Sequence, residues 1–270
     1  AVSLLTSAQS TDYASFVDPF IGTGGAGHTY PGATVPYGML QLSPDTRIDG
    51  SWEGCSGYHY SDSVLYGFSH THLSGTGCSD YGDVLLLPFR GTTLPAEKKS
   101  TRFRHSDEVA KPGYYSVKLR DEKVDVELTA ALRSGFHRYR FEESDTKNIL
   151  IDLYHRDRLL DGQIEVVSST RIEGYRRSEA WAKDQWIYFS IEFDQPFQWI
   201  PMAESDGQKV RRAVLRFDSK NNVVCARIGI SSVSTRNAAM NLATDFHDWD
   251  FDAARKHAHD AWNKELRRIE

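Results

Sequence analysis

From about residue 83 the chain alternates apolar and polar positions with a period of two. Val124, Val126 and Leu128 alternate with charged residues, and Tyr139 and Phe141 alternate with Arg138 and Arg140. That is the pattern of strands with one buried and one wet face. Runs at 83–88 (closed by Pro88), 114–119, 123–132, 134–141, 149–153, 164–172, 186–193, 210–217 and 223–231 read as strands. Short links with turn residues separate them, at 120–122, at Glu173-Gly174 and at 218–222. No long helical pattern lies between the runs, which argues against a parallel sheet of βαβ units. The pattern predicts a mainly β fold, a large two-sheet antiparallel β-sandwich (a supersandwich). The chain shows no internal repeat and no low-complexity segment.

The end of the chain changes period. Phe251, Ala254, Ala258, Ala261, Trp262, Leu266 and Ile269 recur at spacings of three and four, one apolar face of a helix. Asp248 or Asp250 can cap its start, and Lys264, Arg267 and Arg268 suit its C-terminal dipole. No Gly or Pro follows Ile269 as a stop signal. A Trp-bearing face needs a partner: the sandwich itself, or a further domain toward which the helix leads. The missing stop signal points to the second. At the other end, Val2, Leu4 and Leu5 followed by Thr6-Ser7-Ala8 read as the tail of a signal peptide, or else as a disordered leader. The expected organisation is a leader at 1–11, a β-sandwich at 12–245 and a connecting helix at 246–270.

Composition narrows the function classes. With 40% hydrophobic residues the 270-residue chain can bury a sizeable core. A net charge of −5 with both signs mixed argues against a nucleic-acid partner. No apolar run is long enough to span a membrane. Three cysteines are too few for a disulfide scaffold. The averages hide a division: 14 of the 20 glycines lie in residues 1–100, which carry 4 Lys/Arg against 9 Asp/Glu. A Gly-rich, charge-poor, His-containing segment is what loops lining a site look like, and the remainder reads as solvated scaffold.

Three stretches in that segment can carry chemistry. Gly22-Thr23-Gly24-Gly25-Ala26-Gly27-His28 lets backbone N–H groups approach a ligand oxygen, but it lacks the spacing of a phosphate loop or dinucleotide fingerprint, so its spacing favours a plain Gly-rich turn. Trp52-Glu53-Gly54-Cys55-Ser56-Gly57-Tyr58-His59-Tyr60 offers a flat apolar ring on which the C–H face of a sugar can lie, unless Trp52 is simply core. In Ser69-His70-Thr71-His72 the two imidazoles point to one side of a strand, half of a metal site that lacks a recognisable third ligand. Cys55 and Cys78 can form a disulfide in an oxidising compartment, or Cys55 can stay reduced within the site, and Cys225 reads as buried. A glycosidase needs two carboxylates. Asp45, Asp49, Glu53, Asp80 and Asp83 are present, yet no two pair convincingly.

Several long motifs resemble the N-terminal domain of glycoside hydrolase family 92. They are Phe16-Val17-Asp18-Pro19-Phe20-Ile21-Gly22-Thr23, Gly27-His28-Thr29-Tyr30-Pro31-Gly32-Ala33, the run from Pro36 to Asp45, Gly57-Tyr58-His59-Tyr60, the run from Gly67 to Gly77, and Ile228-Gly229-Ile230-Ser231-Ser232-Val233-Ser234. The closing Trp262 helix is similar to the family's connection between domains. The resemblance implies a secreted, exo-acting, calcium-dependent α-mannosidase acting with inversion on mannose-containing glycans such as N-glycans or mannan. It implies a secreted or periplasmic protein of bacterial type. It further implies a sandwich packed against its own C-terminal (α/α)6 barrel, which supplies the catalytic acid, the base and the calcium ligands. No position of this sequence corresponds to those residues, so on this reading the chain is an N-terminal fragment, inactive alone, with an apolar patch where the barrel sits. The sandwich contributes sugar contacts, for which Gly24, Gly25, His28, Asp45, Trp52, Gly54, Cys55, His59 and His72 are the candidates by motif. Trp52 resembles the loop tryptophan on the leaving-group side. Two other readings stay open: a freestanding carbohydrate-binding sandwich, and a metal-dependent hydrolase using His28, His70 and His72.

Overall fold

The computed structural model describes residues 11–95, 98–143, 146–202 and 209–268. Residues 1–10 of the expected 1–11 leader and the helix position Ile269 lie outside the described residues. In chain order the strands are β1 (Ser43–Asp45), β2 (Val64–Leu65), β3 (Gly67–Ser69), β4 (Leu85–Arg90), β5 (Thr101–Arg102), β6 (Glu108–Lys111), β7 (Tyr114–Leu119), β8 (Val124–Ala130), β9 (Ser134–Phe141), β10 (Lys147–Asp152), β11 (Arg158–Ser168), β12 (Arg171–Glu179), β13 (Gln185–Phe193), β14 (Gln198–Pro201), β15 (Arg212–Phe217) and β16 (Val223–Ser231). Two α-helices follow, α1 (Thr235–Asp245) and α2 (Phe251–Leu266). A six-stranded antiparallel sheet runs β1-β3-β4-β10-β15-β14, and an eight-stranded one runs β11-β12-β13-β16-β9-β8-β7-β6. Leu87, Ile149, Ile151 and Leu215 of the smaller sheet share one core with Val126, Tyr139, Ile172, Phe189 and Ile228 of the larger. The expected mainly β, two-sheet antiparallel sandwich is the architecture found.

Several local expectations are corrected. Pro88 does not end its strand, which runs on to Arg90. β3 pairs with β4 only at Phe68–Leu86, so the proline has no ladder bond to give on that side. Residues 164–172 are not one strand but parts of β11 and β12, with the turn at Ser169-Thr170. Glu173-Gly174 is mid-strand, and Gly174 is there because a Cβ would stand 2.0 Å from the Gln163 carbonyl oxygen. β14 and α1, with the short β1, β2, β5 and β6, have no counterpart among the predicted elements. α1 buries only Ala238 and Leu242, too short an apolar face to register as a period, although Ser234 caps it by accepting from the Asn237 N–H.

α2 begins where Asp250 accepts from the Ala253 N–H. It lies with α1 on the outer face of the larger sheet, where Phe136 meets Phe246, Trp249 and Phe251 edge-on. Its far half is tied to the N-terminal segment. The Trp262 indole N–H donates to Thr34 O at 2.6 Å and the Tyr13 N–H donates to Asn263 Oδ1 at 2.7 Å. The helix face therefore has the sandwich as a partner. Beside this end the surface exposes Phe16, Ile21 and, at 86% exposure, Tyr37.

A buried polar chain crosses between the sheets. His70, just past β3, points Nδ1 at Val84 O (2.6 Å) and Nε2 at His137 Nε2 of β9 (2.9 Å), and His137 Nδ1 meets the Tyr139 hydroxyl (2.8 Å). Each bond needs one donor, so the chain is satisfied with both rings neutral. Burial lowers both pKa values, that of His70 to about 4. Because the folded values lie below the unfolded ones, this pair stabilises the fold fully above the unfolded histidine pKa. The contribution is lost as pH falls from about 6.5 toward 4. The expected loss from His70 is about 2 kcal/mol by pH 5. Urea midpoints measured from pH 8 to 4.5 should fall across that window for the wild type and less steeply for His137→Phe.

Candidate functional site

The Gly-rich loops of the first hundred residues gather at one end of the sandwich around Trp52. The Cys55 N–H donates to Trp52 O at 3.3 Å and the Gly57 N–H to Gly54 O at 2.9 Å, turning the chain sharply and lifting the indole outward. Trp52 is 60% exposed and is not core. His28 meets it edge-on, with ring centroids 4.1 Å apart. Gly77, at φ +72°, passes so close that a Cβ would lie 2.7 Å from the indole nitrogen. His28 itself has φ +56°, a left-handed conformation rare for a side-chain-bearing residue. Its carbonyl accepts from the Gly75 N–H at 2.7 Å, while its buried Nε2 has no hydrogen-bond partner among the described residues. A strained histidine with an unmet nitrogen beside an exposed tryptophan is the arrangement that a polar ligand completes.

The other candidates divide by exposure. Gly24 and Gly25 are exposed on the neighbouring loop, and Gly25 O faces His59 Nε2 at 3.2 Å. His59 is buried, and its Nδ1 faces the Ser61 hydroxyl at 2.8 Å. Asp45 is 0% exposed. Ser69 donates to its Oδ2, and His72 Nε2 and His155 Nε2 each stand 3.0 Å from its oxygens. Burial alone would raise the Asp45 pKa, but the two imidazoles outweigh it and hold the carboxyl well below the usual carboxylate range. His72 Nδ1 meets Gln41 O at 2.8 Å. Over this cluster lies Gly57, φ +93°, where a Cβ would stand 2.3 Å from Asp45 Oδ1. Gly54 packs on the Arg47 side chain, which Asp62 pins at 2.6 Å. Cys55 is buried and its carbonyl accepts from Arg156 Nη2 at 2.8 Å.

His155, Arg156 and Arg176 escaped the sequence reading because they sit among scaffold strands, far along the chain from the loops they hold. Arg156 also donates to Ser79 O at 3.1 Å, joining the Trp52 loop to the loop carrying Gly77. Arg176 is wholly buried and pairs with Asp83 at 2.5 Å. It donates as well to Leu153 O at 2.8 Å and Arg156 O at 2.9 Å. Thr71 and Gln185 complete Asp83, at 2.6 and 2.9 Å. Arginine on the inward side of an alternating strand is the one signal that pointed to a buried charge.

Cys55, Cys78 and Cys225 are free thiols in this structure, and Cys55 faces the Gly77 N–H. Burial pushes both the Cys55 and Cys225 thiols up, Cys225 to about 12. His70 and His72 use both ring nitrogens on protein partners, so they cannot join His28 around a metal. No group of three His, Cys, Asp or Glu among the described residues could hold a metal ion.

The molecule is thus a two-sheet antiparallel sandwich presenting an aromatic, glycine-jointed loop cluster at one end. The sequence model of the glycosyl hydrolase family 92 N-terminal domain matches residues 16–231, and the chain belongs to that family. It is similar to a family 92 α-mannosidase from Bacteroides thetaiotaomicron solved in complex with mannoimidazole. That match has a TM-score of 0.86 and 32% identity, and covers 96% of this chain and 37% of the other. A family 92 inverting mannosidase from the same organism matches at TM-score 0.83 and 26% identity, covering 98% of this chain and 37% of that one. A protein of Arthroderma benhamiae described as an uncharacterized secreted glycosidase is 27% identical over 98% of this chain and 39% of its own length. The chain therefore spans about two fifths of the length of these relatives. No described helix is long and apolar enough to cross a membrane.

Proposed function

We propose that this chain is the sugar-contacting domain of a secreted, exo-acting, inverting α-mannosidase, with Trp52, Gly24, Gly25 and His28 meeting substrate. Asp45, Gly54, Cys55, His59 and His72 brace those loops. The observation that carries the reading is the exposed Trp52 indole set beside the unpartnered His28 nitrogen in a chain of this family. The indole takes the apolar face of a leaving-group sugar, and His28 Nε2 and the Gly24–Gly25 backbone take its hydroxyls.

Inversion needs an acid on the leaving oxygen and a base that activates water on the opposite face. Asp45 and Asp83 are committed to buried ion pairs, so neither serves. Acid and base belong to the remaining length by which the relatives exceed this chain, proposed to be an (α/α)6 barrel reached through α2. The exposed Phe16, Ile21 and Tyr37 beside α2 suit a covered face there. Among the described residues no group of three His, Cys, Asp or Glu could cradle calcium. Calcium in the whole protein would be held by residues of the remaining length.

Proton NMR of the whole protein acting on an α-linked mannobiose tests the reading. The first free mannose released is expected as the β-anomer, before mutarotation. First release of α-mannose contradicts inversion, and no release contradicts the mannosidase assignment. Tight mannobiose binding by residues 1–270 without hydrolysis would favour a freestanding binding module.

A further inference from the structure

The tip of the β12–β13 hairpin carries a second tryptophan, Trp181, that neither the motifs nor the Trp52 site accounts for. Its side chain is 79% exposed, and among the described residues no aromatic or cationic group lies against its indole. Its backbone, by contrast, is fixed. Asp80, buried at 4% exposure, accepts from the Trp181 N–H at 3.1 Å with one oxygen and from the Ala182 N–H at 2.7 Å with the other. A buried carboxylate devoted to two backbone donors holds the loop, yet the loop presents its largest apolar side chain to water. Core packing does not explain that combination.

The grip comes from the loop that serves Trp52. Gly77, against the Trp52 indole, and Asp80, under Trp181, are three residues apart, at most about 11 Å along the chain. Arg156 ties Ser79 of the same loop to Cys55, and the Tyr81 N–H donates to Asp157 Oδ2 at 2.8 Å. Tyr81 has φ +82°, so this is a strained segment held from both sides. One loop thus carries the contacts of both exposed indoles.

We propose that Trp181 is a second aromatic platform, taking a sugar unit further from the scissile bond than the one on Trp52 and making the protein prefer extended glycans. The inference rests on the α-mannosidase reading, and its test separates the two. In the whole protein, kcat/KM is measured on an α-linked mannobiose and mannotetraose for the wild type, Trp181→Ala and Trp181→Phe. The expected result is a loss of about tenfold on the tetrasaccharide for Trp181→Ala, with mannobiose unchanged and partial recovery in Trp181→Phe. An equal fall on both substrates, or an unchanged ratio between them, would overturn the proposal in favour of a packing role or none. If the wild type hydrolyses neither, the mannosidase reading is what fails. Calorimetry with the same oligosaccharides then decides: a wild-type affinity gain from mannobiose to mannotetraose that Trp181→Ala lacks supports the platform, and no such gain overturns it.

Discussion

Replacing Arg176 by alanine is expected to destabilise the domain by about 3–5 kcal/mol, because it leaves the buried Asp83 carboxylate without its counter-charge. In a domain of this size that corresponds to a fall in Tm of roughly 5–10 °C. Arg176 is the largest fully buried side chain, and it engages Asp83 together with the carbonyls of Leu153, Arg156 and Asp157. Its loss strands one carboxylate and three acceptors in a space water does not reach. Asp83 retains only Thr71 and Gln185, two neutral donors. Because the same arginine fixes the chain beside Arg156, the Trp52 loop should loosen at temperatures where the sheets are still intact. Calorimetry gives the global Tm, and limited proteolysis at the 51–57 loop reads the local effect. A Tm within about 2 °C of the wild type would mean that the ion pair carries little of the fold.

How much of this was legible in the sequence follows the physics of each signal. Strands that bury one face against water on the other, such as β8 with Val124, Val126 and Leu128, announce themselves by period. Strands β7, β9 and β16 lie at the boundaries their patterns predict. Strands 83–88 and 149–153 are buried on both faces, and their ends moved by a few residues because nothing alternates there. The hairpin between β11 and β12 was misread because Gly174, a glycine needed for close packing, looks the same in sequence as a glycine needed for a turn.

The site was half legible. Residue types pointed to the loops that carry the exposed Gly24, Gly25 and Trp52 and the unpartnered His28 nitrogen. They could not say which polar residues point outward. Asp45 and His72 sit in motifs as prominent as that of Trp52, yet they are buried against His155 and Arg156, more than eighty residues away in sequence. Long-range pairing of that kind leaves no local pattern. The loops of the first hundred residues do surround Trp52, but much of their polar content is internal bracing.

Trp52→Ala is expected to reduce kcat/KM on an α-linked mannobiose by about 10- to 100-fold in the whole protein, the loss of one aromatic stacking surface and its buried area. Stability should change by about 1 kcal/mol or less, since the indole is 60% exposed and contributes little to the core. The substrate dependence is what locates the residue. If the indole bears the leaving-group sugar, a substrate whose leaving group has no ring should not feel its removal. The ratio of kcat/KM for mannobiose to that for α-mannosyl fluoride, wild type against Trp52→Ala, tests most directly whether this domain supplies the leaving-group surface of the enzyme. The account predicts that the ratio falls by about tenfold or more while the fluoride rate holds; an unchanged ratio would contradict it.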